Sequence, residues 1–251
     1  MSADKGRFNP HPGFAADDKR LKRFYTNAGT APGASGYCVT LDGRTIKTPA
    51  RRELALPTEM LARAVAAEWQ AQGEHVLPAS MPLTRLANTA IDGVIGREAE
   101  VRADIVKYAG NDLICYLADG PQALCDRQTE GWGPIHDWAR DTHGIALKLA
   151  AGVMPVEQDT DTSTLFAALL EPFDAMALAG LHTMTTLTGS ALLALAVAHR
   201  HIGSAQAWTL AHIDEDFQIE QWGDDHEASQ RRAARWLEME AAALLSGAAP
   251  A

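Results

Sequence analysis

A stretch of 25 residues without a formal charge, residues 175–199, limits how this chain can fold. A segment of this length and polarity either spans a bilayer or is buried inside a protein. Its interior contains His182, several threonines and the pair Gly189-Ser190, which lower its hydrophobicity and predict a break near the glycine. We therefore expect a buried helical hairpin and no membrane insertion.

The segment Leu41-Asp-Gly-Arg-Thr-Ile-Lys-Thr-Pro49 predicts a β-hairpin. Asp42-Gly43 is a strong signal for a two-residue type I′ turn, because both residues tolerate the positive φ angles of that turn. Pairing Leu41 with Arg44 places alternate side chains on opposite faces of the hairpin. The predicted apolar face consists of Tyr37, Val39, Leu41 and Ile46, and the predicted presented face of Cys38, Thr40, Thr45 and Lys47.

A second segment, from Met81 to Asp92, predicts an amphipathic helix. Its apolar stripe consists of Leu83, Leu86, Ala87, Ala90, Ile91 and Val94, and its polar face of Arg85, Asn88, Thr89 and Asp92. Another helix is predicted from Glu59 to Gln72, with Thr58 in front of it and Gly73 as its C′ residue.

In this arrangement the two segments resemble the Atp12 family, assembly chaperones of the F1 part of ATP synthase that handle its alpha subunit. Further matching positions are Lys22-Arg23-Phe24-Tyr25, Glu68-Trp69, Gln72, Asp112-Leu113-Ile114-Cys115-Tyr116, Arg127-Gln128 with Trp132, and Gln218-Ile219-Glu220-Gln221-Trp222-Gly223. The chain departs from the family pattern at Ala109-Gly110-Asn111 and around Gly131 and Gly133. The resemblance implies an α+β fold, with a small mixed α/β N-terminal domain followed by an orthogonal α-helical bundle.

Proline and glycine positions agree with that organisation. We expect a loose N-terminal arm over residues 1–20, a strand and helix domain over residues 21–82, and the helical bundle over residues 83–251. The Gly-rich segment 28–36 lacks the Gly-Lys-Ser/Thr ending of a phosphate-binding P-loop, so an ordinary loop is expected there. Residues 145–153 are expected to form an extended connector.

The chain has a net charge of −10, which argues against nucleic-acid binding and also disfavours acidic partners. Its three cysteines, at no metal-ligand spacing, are expected to be free thiols. The N-terminal segment contains acidic residues and no apolar run, unlike a secretory signal or a mitochondrial presequence. A bacterial, cytoplasmic protein is therefore expected, whereas eukaryotic relatives would lie in the mitochondrial matrix.

The resemblance implies a chaperone that binds the free alpha subunit of F1 and releases it when the beta subunit takes its place. Such a protein needs no nucleotide hydrolysis, so no enzymatic activity, catalytic residue, cofactor or metal is expected, and a monomer is expected. The residues predicted to contact the partner are Arg44, Lys47, Thr48, Arg85, Asn88, Asp92, Gln128, Trp132, Glu220, Trp222 and Glu240.

Tryptophans are predicted in two roles. Trp69 and Trp138 lie in regular apolar stripes and are expected in the core, whereas Trp132 and Trp222 lie next to glycines and are expected on a presented surface. Glu240 interrupts an apolar helical stripe. Burial of a lone carboxylate is costly, so Glu240 should pair with a cation, lie at the edge of the stripe, or face a partner.

Two other functions stay open from the sequence. His136-Asp137 with His143 places two imidazoles on one helical face and could form half of the site of a metal-dependent or other small-molecule enzyme, although no third ligand lies at a complementary spacing. His226-Glu227 begins a zincin motif, but Gln230 takes the place of its second histidine. The other alternative is a general holdase for many unfolded chains.

Overall fold

The computed structural model describes residues 21–152 and 156–247. The chain forms two compact units, the first ending at Arg97 and the second beginning at Glu98. Its fold is α+β, as predicted, with the sheet in the first unit and mostly helices in the second. The division lies further along the chain than the predicted boundary after residue 82, and the predicted arm over residues 1–20 lies outside the described residues.

A four-stranded antiparallel sheet forms the first unit together with its helices. Its strands are β1 Ala28–Gly33, β2 Gly36–Leu41, β3 Arg44–Thr45 and β4 Ala55–Leu56. β2 is central, because it pairs with β1 on one side and with both β3 and β4 on the other. Leu41 pairs with Arg44, and Asp42 and Gly43 have φ angles of 48° and 79°, so the predicted type I′ hairpin is confirmed.

Two expectations for this sheet are wrong. The Gly-rich segment expected as a loop forms β1 and its turn into β2. Cys38 and Thr40, expected on a presented face, are only 0% and 6% exposed, whereas Thr45 and Lys47 are exposed as predicted. Cys38 is buried because its Sγ packs against Gly33 of β1, where an added Cβ atom would lie only 2.2 Å away.

Helix α1, Glu59–Gln70, packs against β1 and β2. Its N-terminus is capped as expected, since Thr58 Oγ1 accepts a hydrogen bond of 3.3 Å from the N–H of Leu61. The helix ends at Ala71 in an αR conformation, so Gly73 is not its C′ residue. One core cluster of this unit contains Tyr25, Leu41, Val76 and Met81, with Ala28, Ile46 and Trp69 packed against it.

Helix α2, Pro82–Thr89, continues into a π-helical turn, Ala90–Val94. All six residues of the predicted apolar stripe are buried, which confirms that pattern. Pro82 starts the helix and Met81 gives no side-chain cap. The carboxylate of Glu68 on α1 instead accepts the N–H groups of Leu83 and Thr84, both at 2.7 Å. This link ties α2 to the first unit.

Eight α-helices make up most of the described part of the second unit. They are α3 Glu98–Ala109, α4 Gln122–His143, α5 Thr160–Leu170, α6 Ala175–Thr188, α7 Ala191–Ala198, α8 Ser204–Ala211, α9 Ile213–Trp222 and α10 His226–Leu245. Two short strands, β5 Tyr116–Leu117 and β6 Ala150–Ala151, pair in parallel. β6 lies within residues 145–153, the segment expected to be an extended connector.

The uncharged stretch forms α6 and α7, which pack against each other as the predicted buried hairpin. Gly189 ends α6 with a φ angle of 71°, and Ser190 Oγ accepts the N–H of Leu193 at 3.0 Å to begin α7. Within residues 21–152 and 156–247, no helix combines the length and apolar character needed to cross a membrane.

A buried carboxylate, Asp112, fixes the start of α7. It is 0% exposed and accepts the N–H groups of Leu192 at 2.9 Å and Ile114 at 3.3 Å. Burial raises the pKa of Asp112 to about 6, and hydrogen bonds from Ser190 and these N–H groups act in the opposite direction. Burial, aided by the charge of Asp112, raises the pKa of the nearby Cys115 thiol to about 12.

Gly180 allows α6 and α10 to approach closely. A Cβ atom at this position would lie 2.4 Å from the carbonyl oxygen of Ala242 and 2.8 Å from the backbone nitrogen of Ser246. Both are backbone atoms, so the helices themselves would have to move apart.

We expect Gly180→Ala to lower the free energy of unfolding by about 1–3 kcal/mol through overpacking. Gly93→Ala is the matched control, because Gly93 lies in the helical turn Ala90–Val94 and none of the described residues places an atom within 4 Å of an added Cβ there. That change should raise stability by about 0.4–1 kcal/mol. Urea unfolding of both variants measures the two shifts, and shifts of the same sign would contradict the close helix contact.

We also expect the contribution of Asp112 to stability to fall as pH rises. Its native pKa of about 6 lies above the reference value of 3.8, so the native state binds more protons between these values. The free energy of unfolding relative to Asp112→Asn should therefore decrease by about 2 kcal/mol between roughly pH 4 and pH 7. Urea unfolding of both proteins across this range measures how the difference in their free energies of unfolding changes with pH. A difference that stays constant would contradict the prediction.

Candidate functional site

In the first unit, Asp92 fastens the turn after β3 to the end of α2. Its Oδ1 accepts a hydrogen bond of 2.6 Å from Thr48 Oγ1, and its Oδ2 accepts one of 3.0 Å from the N–H of Ala50. Arg52 Nη1 donates to the carbonyl oxygen of Ile91 at 2.6 Å. The bond between Thr48 and Asp92 therefore joins the two sequence segments with the strongest family resemblance, and the other two bonds join the residues that follow the first segment to the second.

The six predicted contact residues of this unit differ in exposure. Arg44 and Lys47 are exposed, Thr48 is buried, and Arg85, Asn88 and Asp92 are half-buried. Thr48 and Asp92 bond to each other, so their groups hold the turn in place. The Oδ1 atom of Asn88 is buried and has no hydrogen-bond partner within the described part of the chain.

In the second unit, hydrogen bonds join α4 to α9. The guanidinium of Arg127 donates to both carboxylate oxygens of Glu220, at 2.9 and 2.6 Å. This pairing raises the pKa of Arg127 and lowers the pKa of Glu220. Next to it, the amide of Gln128 donates to Asp214 at 2.6 Å and accepts the N–H of Ala118 at 2.7 Å. Gln128 is buried, so its contacts lie inside the unit.

The expectation that Trp132 lies on a presented surface is wrong. Trp132 is 1% exposed, and its indole N–H donates to the carbonyl oxygen of Leu210 at 2.8 Å. The neighbouring Gly131 permits this packing, because an added Cβ there would lie 2.8 Å from Ile213 Cδ1 and 2.9 Å from Leu210 Cδ2. The glycine that suggested an exposed position instead allows close helix packing.

Trp222, by contrast, is 79% exposed at the end of α9, as predicted. Leu237 on α10 is 53% exposed. The two helices are linked by an ion pair between Asp216 and Arg232. A large apolar side chain exposed to this extent is a feature of binding surfaces rather than of helix packing.

Glu240 lies on the exposed side of α10. Among residues 21–152 and 156–247, no lysine or arginine pairs with it. The sequence left three possibilities for Glu240: pairing with a cation, a place at the edge of the stripe, or contact with a partner. Pairing with a cation is not observed in this part of the chain. Glu240 is free to face solvent or a partner.

His136, Asp137 and His143, the residues of the possible metal site, each contact different neighbours. Asp137 pairs with Arg140 at 2.7 Å, and the ring of His143 packs edge-on against Trp138 with centroids 4.8 Å apart. Burial lowers the pKa of His136 and of His143, which favours their neutral forms. No group of three or more His, Cys, Asp and Glu side chains in the described ranges could hold a metal ion.

Two notable features were missed from the sequence. Arg51 adopts a left-handed conformation with a φ angle of 64°, which glycine or asparagine would have signalled. Trp138 stacks on His201 with centroids 4.7 Å apart, beside His199, at the end of the bundle. Neither feature follows from local periodicity, although the preceding Pro49 indicates a turn near Arg51.

Comparison with known proteins identifies similar chains. The family model described as ATP12 chaperone protein matches residues 22–140. Atp12 from Paracoccus denitrificans is 40% identical, with a TM-score of 0.83 covering 90% of this chain and 97% of that one. A candidate chaperone from Agrobacterium tumefaciens is 44% identical, with a TM-score of 0.86 and coverage of 90% and 85%. The mitochondrial protein atp12 of Schizosaccharomyces pombe is 23% identical over 233 residues, 88% of this chain and 78% of that protein.

These similarities, together with exposed apolar and charged surfaces on an α+β scaffold, define the class of the protein as a chaperone. The chain belongs to the Atp12 family, as the 40% identity over 97% of the Paracoccus denitrificans chain shows. The resemblance found in the sequence is thereby confirmed.

Removal of the Asp92 carboxylate should release the turn at residues 48–52. Asp92→Ala leaves Thr48 and the N–H of Ala50 without their acceptor, and we expect a loss of about 1–3 kcal/mol in the free energy of unfolding. Amide hydrogen exchange should be faster at residues 48–52. Thr45→Ala, an exposed change in β3, is the control and should alter neither quantity. Unchanged exchange in Asp92→Ala would contradict the anchoring role.

Proposed function

We propose that this protein is an assembly chaperone of ATP synthase that binds the free alpha subunit of F1 and prevents its aggregation until alpha pairs with beta. The observation that carries this proposal is the exposure of Trp222, at 79%, on a helix linked to the one bearing Leu237. Membership of the Atp12 family supports the assignment to ATP synthase assembly.

The surface around Trp222 has the composition of a protein-binding site. Tryptophan is enriched among residues that dominate binding energy, and such residues act best inside a rim of polar groups. Arg127 of α4 pairs with Glu220, which lies two residues before Trp222 on α9. Exposed Glu240 lies on α10, beyond the Asp216–Arg232 pair as seen from Trp222. An apolar centre with a charged rim would bind an apolar assembly surface of the client.

Reversible holding is sufficient for this function. A chaperone that binds only the unassembled subunit stabilises it by mass action, and a tighter-binding beta subunit displaces the chaperone without nucleotide hydrolysis. The proposal includes a monomeric chaperone without enzymatic activity and a cytoplasmic location in bacteria. In the first unit, Arg44, Lys47, Arg85 and Asn88 are proposed to contribute contacts.

Some predicted contact residues are proposed to act indirectly. Thr48 and Asp92 hold the turn after β3, and Gln128 and Trp132 hold α4 against its neighbours. Their substitution should alter client binding through the position of exposed neighbours. Direct contact is proposed for Trp222 and for Glu220 and Glu240 on the rim.

The test is coexpression of the chain with the F1 alpha subunit of the same organism. The wild type should keep alpha soluble and copurify with it in a 1:1 complex that dissociates when beta is added. Trp222→Ala combined with Leu237→Ala should weaken the complex about tenfold or more, because truncation of a binding hot spot costs about 2 kcal/mol or more. The matched control is Leu149→Ala, which removes another exposed leucine of the second unit and should not weaken it.

Two results would contradict the proposal. If alpha stays aggregated although both chains are well expressed, the chain is not an alpha-subunit chaperone. If the protein protects an unrelated unfolded protein as effectively as alpha, the general holdase is the better description.

A further inference from the structure

Charge is distributed unevenly along the chain. Residues 1–97 contain 13 Lys and Arg against nine Asp and Glu, a net charge of +4. Residues 98–251 contain nine Lys and Arg against 23 Asp and Glu, a net charge of −14. The whole-chain charge, which argues against acidic partners, therefore averages two units of opposite sign.

The cations of the first unit concentrate in residues 44–52, which we name the basic arm. Arg44, Lys47 and Arg51 are exposed there, and no carboxylate in the described part of this unit forms an ion pair with them. A fourth exposed cation, Arg52, is bonded to the carbonyl oxygen of Ile91. Elsewhere in the unit, Lys22 pairs with Glu74 at 3.6 Å and Arg63 with Glu59 at 2.7 Å. Asp42 attracts Arg44 across the hairpin turn, and Glu53 lies opposite Lys47 in a backbone bridge, but neither Lys47 nor Arg51 forms an ion pair with a described residue. The arm thus presents exposed cations that are available to a partner.

The backbone of the basic arm is held in one conformation. The N–H of Thr48 donates to the carbonyl oxygen of Arg52 at 2.8 Å, and the N–H of Arg51 donates to that of Thr48 at 2.8 Å. Asp92 holds the same turn from outside the arm. These bonds retain Arg51 at a φ angle of 64°, a conformation that costs a non-glycine residue on the order of 1 kcal/mol or more.

A conformation this costly, held by several hydrogen bonds, presents the arm in a fixed form before any partner arrives. A preorganised surface loses less conformational entropy on binding than a flexible one. Because the exposed side chains are cationic, the complementary partner is anionic.

We propose that the basic arm binds an acidic segment of the client protein and accelerates formation of the complex. This inference rests on the proposed chaperone function. A short run of carboxylates suits three local cations, whereas nucleic acids and anionic membranes present extended negative charge that the second unit, at −14, would repel. Complementary charge acts mainly on the association rate.

The first experiment needs no client. Binding of a fluorescein-labelled decaglutamate peptide is measured by anisotropy for the wild type and for the arm variant Lys47→Glu/Arg51→Glu. Neither of these two side chains forms a hydrogen bond with residues 21–152 or 156–247. The control is Lys22→Glu/Arg63→Glu, which changes the net charge of the same unit equally at positions outside the arm. The affinity for the peptide should fall about tenfold or more in the arm variant, whereas in the control it should stay within about twofold of the wild-type value.

The second experiment measures association with the purified alpha subunit by stopped flow at 50 and 300 mM salt. The arm variant should associate about tenfold more slowly at low salt, with a weaker salt dependence and a dissociation rate within about twofold of wild type. Equal slowing in arm variant and control, or no slowing, would overturn the role of the arm.

The two experiments separate the possible failures. If the peptide result holds but wild-type protein does not bind alpha, the proposed function fails while the arm still recognises acidic segments. If the peptide does not bind, or if an RNA oligonucleotide or phosphatidylserine vesicles bind the arm more tightly than the peptide, the acidic-segment proposal is wrong.

Discussion

Carboxylates that accept backbone N–H groups organise both units of this protein. Glu68 accepts two N–H groups at the start of α2, and Asp92 accepts the N–H of Ala50 in the basic arm. Asp112 accepts the N–H of Leu192 at the start of α7 and that of Ile114 in its own turn. A buried N–H without an acceptor costs about 1–3 kcal/mol, and a carboxylate satisfies two of them while complementing the positive end of a helix. The positions of α2, the arm and α7 all depend on these bonds. Part of the acidic composition therefore serves the fold rather than solubility.

The exposed surfaces of the two units suit different steps of binding. Trp222 offers apolar area, which adds to the lifetime of a complex once it has formed. The basic arm offers charge, which acts over a longer distance and before contact is made. A chaperone that must capture its client before the client aggregates, and later release it, benefits from fast association combined with moderate affinity.

Features governed by local pattern were predictable from the sequence. The Asp42-Gly43 turn, the apolar stripe of α2 and the break at Gly189 follow from residue preferences over a few positions. Features that depend on distant neighbours were not. Cys38 is buried because it packs against Gly33 of the neighbouring strand β1, and Trp132 is buried because Gly131 admits α8. For the candidate site, the sequence indicated the exposure of Trp222 but not the left-handed Arg51, whose conformation is held by bonds from elsewhere in the first unit.

The buried cysteines give each unit its own chemical reporter. Cys38 lies in the first unit and Cys115 in the second, both are 0% exposed, and burial raises the pKa of each thiol. Since only an exposed thiolate reacts readily with a maleimide, either cysteine is modified only when its own unit opens. Half-buried Cys125 would react separately, so its replacement would leave two cysteines. Pulsed labelling followed by peptide mass spectrometry could then distinguish opening of the sheet from opening of the helical bundle within a single, otherwise unlabelled chain.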